Sequence, residues 1–370
     1  GTMSAWAVFT MLGLYPDCPG EPYYTLTSPT FDRAEIDTER GTLVIEKRGE
    51  GYIDRMTLGD KPLKNYRILH DELHKGGKLT FELQTGNWMK LTGFLFAAAL
   101  LGSCTQPAAE ENYTRHVDPK IGTGGHGHVF VGANVPFGLV QVGPTSIPQT
   151  WDWCSGYHAS DSTVIGFSHT HLSGTGIGDL FDITVMPVVG EVTYARGEEN
   201  DPASGLWSYA DRTREITKPG YYSVPLVRYG ITAELTATER VGLHRYTFPA
   251  SDAAAVVFDL ENGGCWDKAT ETHLAKEGDR TVTGWRHSTG WAKDQRVYFA
   301  AEFSKPFAKF ETVGDEYARA SFSTTDGEQL LVKVALSPVS VEGAEANLAA
   351  ELPGWDFEAT AAAADKAWND

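Results

Sequence analysis

Two groups of side chains in this sequence have types and spacings that suit chemistry. Trp151 and Trp153 flank Asp152, with His158 close behind, in a stretch bordered by Gly, Ser and Pro that reads as a loop. A sugar ring offers apolar C–H faces to an aromatic plane and hydroxyls to paired hydrogen bonds, so this grouping suits carbohydrate contact. The plainer alternative is that at least one of the two indoles belongs to the core. His126, His128, His169 and His171 form two His-x-His pairs. On a strand, residues two apart share a face, and four imidazoles could converge on a transition metal. No carboxylate or Cys accompanies them at ligand spacing, and the flanking glycines indicate tight loops. Three readings stay open for them, a zinc site, a polar interface or substrate role, and plain structural histidines, and no metal site is assigned. Asp118, Asp161, Asp179 and Asp182 are nearby carboxylates, but no acid–base pair can be picked from their spacing, so no catalytic residue is identified. Gly122-x-Gly124-x-x-Gly127 mimics a dinucleotide fingerprint without the preceding strand and following helix that the fingerprint needs.

The elements that must hold these residues are mostly strands. The chain has 370 residues with 39 Gly and 18 Pro, which punctuate short runs rich in Val, Thr, Tyr and Phe. With 41% hydrophobic and 11% aromatic residues it can bury a core, and its net charge of −18 argues against a nucleic-acid binder. Residues 112–350 hold strand-like runs, among them 139–142, 183–189, 221–227, 231–235, 243–248, 255–260, 296–303 and 329–335. None alternates with a helix, which predicts a large antiparallel sandwich. The acidic stretches 198–201 and 342–345 read as solvated loops. From 357 to 368, Phe357, Ala361, Ala364 and Trp368 recur at helical spacing. Residues 1–86 predict a helix over Met3–Leu14 followed by a small β-sandwich. Between the two lies Met89–Cys104: one Lys, an apolar run, small residues, then Cys104, the order of a bacterial lipoprotein signal with Cys104 as the lipidated residue. The apolar run is too short to span a bilayer. Cys18, Cys104, Cys154 and Cys265 fit neither a zinc site nor a disulfide framework.

Three stretches carry a resemblance. They are Asp118–Gly138, containing Gly124-Gly125-His126-Gly127-His128; Trp151–His158 with Ile165–Gly176, containing Ser168-His169-Thr170-His171; and Gly1–Trp6 running into Leu14-Tyr15-Pro16. Together they resemble glycoside hydrolase family 92, calcium-dependent inverting exo-α-mannosidases. The resemblance implies that 112–350 is the family's N-terminal β-sandwich and that 351–370 starts the linker helix to an (α/α)6 catalytic barrel. It further implies that 1–86 is the barrel's last helix and the strands after it, and that 87–111 is a lipoprotein-type signal and tether, as if the tail of one family gene ran into the head of a second. On this view most of the barrel is absent, and with it the family's catalytic carboxylates and most calcium ligands. The expected function is an exo-α-1,2-mannosidase for N-glycans or mannan, here a fused fragment inactive alone. The alternative is a non-catalytic carbohydrate-binding or scaffolding sandwich. The resemblance places Trp151, Asp152, Trp153, His158, His126, His169 and His171 against mannose-containing glycans. It implies a periplasmic or cell-surface protein, secreted or held to the membrane only by a lipid on Cys104. Trp6 and Phe9, parted from their barrel neighbours, are expected to be exposed.

Overall fold

The structure, a computed structural model, describes residues 8–15, 22–38, 40–63, 65–84, 112–263 and 266–370. The chain divides into two compact units, Gly1–Pro107 and Ala108–Asp370. Cys18, Cys104, Cys265, Trp6 and the apolar segment 89–104 lie outside the described residues.

In the first unit, β1 (Leu14–Tyr15), β2 (Tyr23–Leu26) and β7 (Arg67–Leu69) form a three-stranded sheet in the order β1-β2-β7. A five-stranded sheet has the order β3-β4-β8-β5-β6, from β3 (Arg33–Thr38), β4 (Gly41–Arg48), β8 (Gly77–Gln84), β5 (Tyr52–Leu58) and β6 (Lys61–Pro62). Alternation does the positioning: Leu43 and Ile45 on β4 and Leu79, Phe81 and Leu83 on β8 point into one core with Leu14, Leu26 and Ile68. β4 and β8 pair in parallel, the one parallel ladder among the described strands. Phe9 is more open than a core aromatic such as Phe81, as expected, though only in part. It is half-buried at the edge of this core and its ring stacks on Tyr24 at 5.7 Å, so the exposed positions of that helical turn are Val8 and Met11.

The second unit is a large antiparallel sandwich. Its eight-stranded sheet runs β15 (Ile216–Lys218), β16 (Tyr221–Leu226), β17 (Ile231–Ala237), β18 (Val241–Phe248), β25 (Glu328–Ser337), β22 (Gln295–Phe303), β21 (Thr281–Thr289) and β20 (Lys268–Glu277). Its seven-stranded sheet runs β23 (Lys309–Val313), β24 (Tyr317–Thr324), β19 (Ser251–Asp259), β13 (Thr184–Val189), β12 (Gly166–Ser168), β10 (Gln141–Thr145) and β9 (Ala133–Asn134), and β11 (Thr163–Val164) pairs with β14 (Ser208–Tyr209) as a separate ribbon. Val185, Val256, Phe258 and Phe322 of one sheet meet Tyr222, Leu235, Tyr246, Phe299 and Val334 of the other, and the Phe258 and Phe299 rings stack at 5.6 Å. The outer face of the eight-stranded sheet is covered as well: Val241, Leu243 and Ala335 pack with Leu352 and Phe357 beside the C-terminal helices Val341–Glu351 and Phe357–Asn369. Burial on both faces is why β25 reads as a nearly continuous apolar run, Leu330 to Leu336 broken by Lys333, and not as an alternating one.

The acidic stretch 342–345 is a correction, because it is helical and not a loop. Ser340 Oγ accepts from Gly343 N at 3.1 Å and so caps the helix, and Glu342 sits in its first turn, where the helix dipole favours an anion. In the second helix the expected face is met in part: Phe357 and Ala364 are buried and Ala361 half-buried, whereas Trp368 is exposed, its indole donating to Asn134 O at 2.7 Å.

Candidate sugar-binding site

The site is assembled by one tight hairpin. β9 and β10 pair antiparallel with Ala133 opposite Val142, so the chain entering β9 and the chain leaving β10 emerge at the same end. Gly132 and Gly143 allow the close approach, since a Cβ on either would fall 2.2 Å from a backbone oxygen of the facing strand, Val142 O or Val131 O. His126 and His128 lie on the incoming side and Trp151-Asp152-Trp153, a single 3₁₀ turn, on the outgoing side.

Trp151 is 51% exposed. Its indole Nε1 donates to Gly176 O at 2.8 Å, and its ring centroid lies 4.2 Å from that of His128 and 5.5 Å from that of His126. Gly176 has φ +71 and a Cβ there would come 2.8 Å from the indole, so no other residue fits beneath the ring. Asp152 Oδ1 is 2.5 Å from His126 Nδ1 and 3.5 Å from His128 Nε2, and the bond from His126 holds the Asp152 carboxyl below its ordinary range. The rim therefore presents an open aromatic face beside an ionised acceptor.

Trp153 turns the other way. Its Nε1 donates to Asp161 Oδ2 at 2.6 Å and its ring stacks on His158 at 4.3 Å. His158 is buried, with Nδ1 bonded to Ser160 Oγ at 2.7 Å and Nε2 without a hydrogen-bond partner. Of the two indoles, Trp151 is thus the one whose face is open. Cys154, next in the chain, is a buried free thiol whose pKa burial pushes up.

His169 and His171 do not join the rim, and the four imidazoles do not converge. His169 is fully buried. Its Nδ1 must donate to the Ile183 carbonyl at 2.6 Å, which leaves Nε2 to accept from His244 Nε2–H at 2.9 Å, while Tyr246 OH donates to His244 Nδ1 at 2.7 Å. His171 Nδ1 donates to Gln141 O at 2.8 Å between the rings of Phe130 and Phe181, and its Nε2 has no hydrogen-bond partner. Burial pushes His169 down to about 4, His171 down to about 3 and His244 well below the ordinary imidazole range. His244 on β18 and Arg286 on β21 carry no local motif and reach His169 and Asp182 from the eight-stranded sheet because the two sheets pack face to face, while Gln141 comes from β10.

Stability follows from those three imidazoles. Their folded pKa values lie below the unfolded value of about 6.5, so the unfolded chain binds more protons as pH falls. The stabilisation is complete above about pH 6.5 and is lost on acidification toward pH 4, at up to about 1.4 kcal/mol per pH unit for each histidine. Urea unfolding followed by tryptophan fluorescence should show a clear fall in midpoint between pH 7.5 and pH 5, before ordinary carboxylates titrate. A flat profile over that window would contradict the neutral buried chain.

The carboxylates already have structural partners. Asp161 accepts from Trp153, Gln149 and the Thr163 N–H, and Asp179 accepts the Trp291 N–H at 2.6 Å. Asp182 takes Arg286 at 2.7 Å, Thr170 and Gln295, and exposed Asp118 accepts the Lys120 N–H. Burial raises the Asp259 carboxyl to about 6, and it caps its own turn by accepting from Glu261 and Asn262. For calcium, which takes six to eight oxygen ligands, the described residues do not fit: the one cluster of three metal-type side chains among them is His126, His128 and Asp152. No helix among the described residues is long and apolar enough to cross a membrane.

Residues 116–337 match the family model of the glycosyl hydrolase family 92 N-terminal domain, and residues 1–85 match that of the family 92 catalytic domain, so the catalytic-domain match comes first in this chain. An uncharacterized secreted glycosidase of Arthroderma benhamiae is 26% identical over 321 residues, 76% of this chain and 41% of that protein. Among solved structures, a family GH92 α-mannosidase from Bacteroides thetaiotaomicron in complex with mannoimidazole is 35% identical with a TM-score of 0.66, over 70% of this chain and 37% of that one. A family GH92 inverting mannosidase from the same bacterium is 25% identical with a TM-score of 0.60, over 71% and 36%. The chain spans less than half the length of these relatives. A match to the N-terminal domain over more than half of the chain, together with the sandwich that carries it, makes this protein a member of glycoside hydrolase family 92.

Proposed function

We propose that the second unit is the sugar-contacting domain of an inverting exo-α-1,2-mannosidase for N-glycan or mannan chains, and that Trp151 and Asp152 take part in binding the terminal mannose. The observation that carries this reading is the open Trp151 face beside an ionised Asp152 on the rim of a family 92 N-terminal domain. In this role the indole stacks on a C–H face of the ring while Asp152 accepts from its hydroxyls. His126 orients Asp152, and Trp153, stacked on His158, holds the turn from below. His169 and His171 act at one remove, by fixing the backbone around Gln141 and Ile183. Calcium, if the family's requirement extends to this chain, takes its oxygen ligands from outside the described residues. The secreted relative supports a location outside the cytoplasm, and the proposal of Cys104 as the lipid-bearing residue rests on the residue order of 89–104 alone. The order of the two family matches supports a tail-to-head joining of family pieces.

The test is calorimetric titration of the chain with α-1,2-mannobiose. Trp151→Ala should weaken binding about tenfold or more, equivalent to about 1.4 kcal/mol, with Asp152→Asn acting in the same direction. Affinity unchanged in both variants would remove the rim from sugar recognition. Binding that depends on the rim, without any turnover, would favour the second reading, a non-catalytic carbohydrate-binding sandwich. That reading rests on the structural partners held by Asp161, Asp179 and Asp182.

A further inference from the structure

His126, His128 and Asp152 meet in a way that sugar contact does not require. One donor atom from each falls within 4.8 Å of the others, and no second group of three His, Cys, Asp or Glu is so placed among the described residues. Three observations separate this trio from an ordinary surface ion pair. His128 is buried, yet its Nε2 has no hydrogen-bond partner and points toward Asp152 Oδ1 from 3.5 Å. Its backbone is held at φ +54, a left-handed conformation that a non-glycine residue keeps where its surroundings enforce it. The Oδ1–Nε2 separation is close to the roughly 3.4 Å that two ligands adopt around a tetrahedral ion with bonds of about 2.0–2.1 Å. His126 Nδ1, at 2.5 Å from Oδ1, would have to draw back by about 1 Å to take a third tetrahedral position. Its side chain is 76% exposed and free to do so.

We propose that His126 Nδ1, His128 Nε2 and Asp152 Oδ1 form a binding site for a borderline divalent ion of the zinc, cobalt and nickel class, with the remaining position open to solvent. Two imidazoles and one carboxylate suit these ions and not calcium. The ligands come from both sides of the β9–β10 hairpin, so the ion clamps its two ends, and Trp151 walls one side. The site does not depend on sugar binding. If the sugar reading also holds, the ion competes with it by occupying the acceptor oxygen of Asp152.

The experiment is titration of the chelator-treated full chain with Co2+, read by visible absorption, and with Zn2+, read by calorimetry. The expected result is one saturable equivalent with the intense visible bands of four-coordinate cobalt. His126→Ala, a change at an exposed ring that leaves the fold intact, and His128→Gln should each weaken the site at least tenfold, while His116→Ala should not change it. Absence of saturable binding would overturn the proposal, as would a saturable site whose affinity and spectrum are the same in His126→Ala. Mannobiose titration with and without one equivalent of Zn2+ distinguishes the two readings: metal binding without any sugar binding leaves this site standing and the sugar site refuted.

Discussion

Purified chain incubated with α-1,2-mannobiose and calcium is expected to release no mannose above the uncatalysed background. Inverting hydrolysis needs two carboxyl groups about 6.5–9.5 Å apart, one protonated toward the leaving oxygen and one ionised toward water. Among the described residues near the rim, Asp161, Asp179 and Asp182 are each taken up as acceptors by structural donors, so none is turned toward a leaving oxygen or a water. Asp259 has the raised pKa of an acid, about 6, but its oxygens are turned onto the Glu261 and Asn262 amides inside the sandwich. Each missing proton transfer forfeits about 10²–10⁴-fold, enough to place the chain below detection beside an intact family enzyme. Turnover comparable to such an enzyme, abolished by Asp→Asn at position 118, 161, 179, 182 or 259, would move the catalytic machinery into the sandwich.

Arg286→Met is expected to destabilise the second unit by about 3–5 kcal/mol, the cost of leaving buried charge uncompensated. Arg286 on β21 is fully enclosed; its guanidinium reaches Asp182 at 2.7 Å and Asp267 at 3.0 Å and donates through Nε to Leu260 O at 2.9 Å. Asp182, immediately before β13, belongs to the other sheet and also bonds Thr170 between His169 and His171. The pair therefore ties both sheets to the loop beneath the rim. Urea unfolding reads the loss directly, and adding Asp182→Asn to Arg286→Met should recover part of it. A midpoint unchanged by Arg286→Met would mean that the carboxylates find solvent or other partners when the guanidinium is gone.

The strands visible in the sequence are those buried on both faces, such as 255–260 and 329–335, because their apolar runs survive any choice of register. The hairpin of β20 and β21 escaped notice for the opposite reason. β20 reads Lys-Ala-Thr-Glu-Thr-His-Leu-Ala-Lys-Glu, an outer strand of which Leu274 alone is buried, so composition resembles a loop. The helix Val341–Glu351 was hidden likewise, since it buries little more than Ala344. At the site, Trp151, Asp152 and His126 were legible as residue types. Their meeting was not, because some 25 residues separate the His-x-His pair from Asp152 and only the β9–β10 pairing brings them together. The same distance concealed the carboxylate whose absence argued against a metal, and His169 was misplaced because burial cannot be read from a motif.

The outermost strands govern how this sandwich behaves among copies of itself. A sheet edge offers unpaired amides and carbonyls to any passing strand, and a long uncharged edge would let one molecule extend another. Here β9 and β15 offer two and three residues, too few to seed a ladder. The long edges β20 and β23 carry Lys268, Glu271, Lys276 and Glu277, and Lys309 with Glu311. A second copy laid against either would have to desolvate these charges, against the mutual repulsion of chains at −18. The charges that made these strands hard to recognise thus also keep the sheets from polymerising.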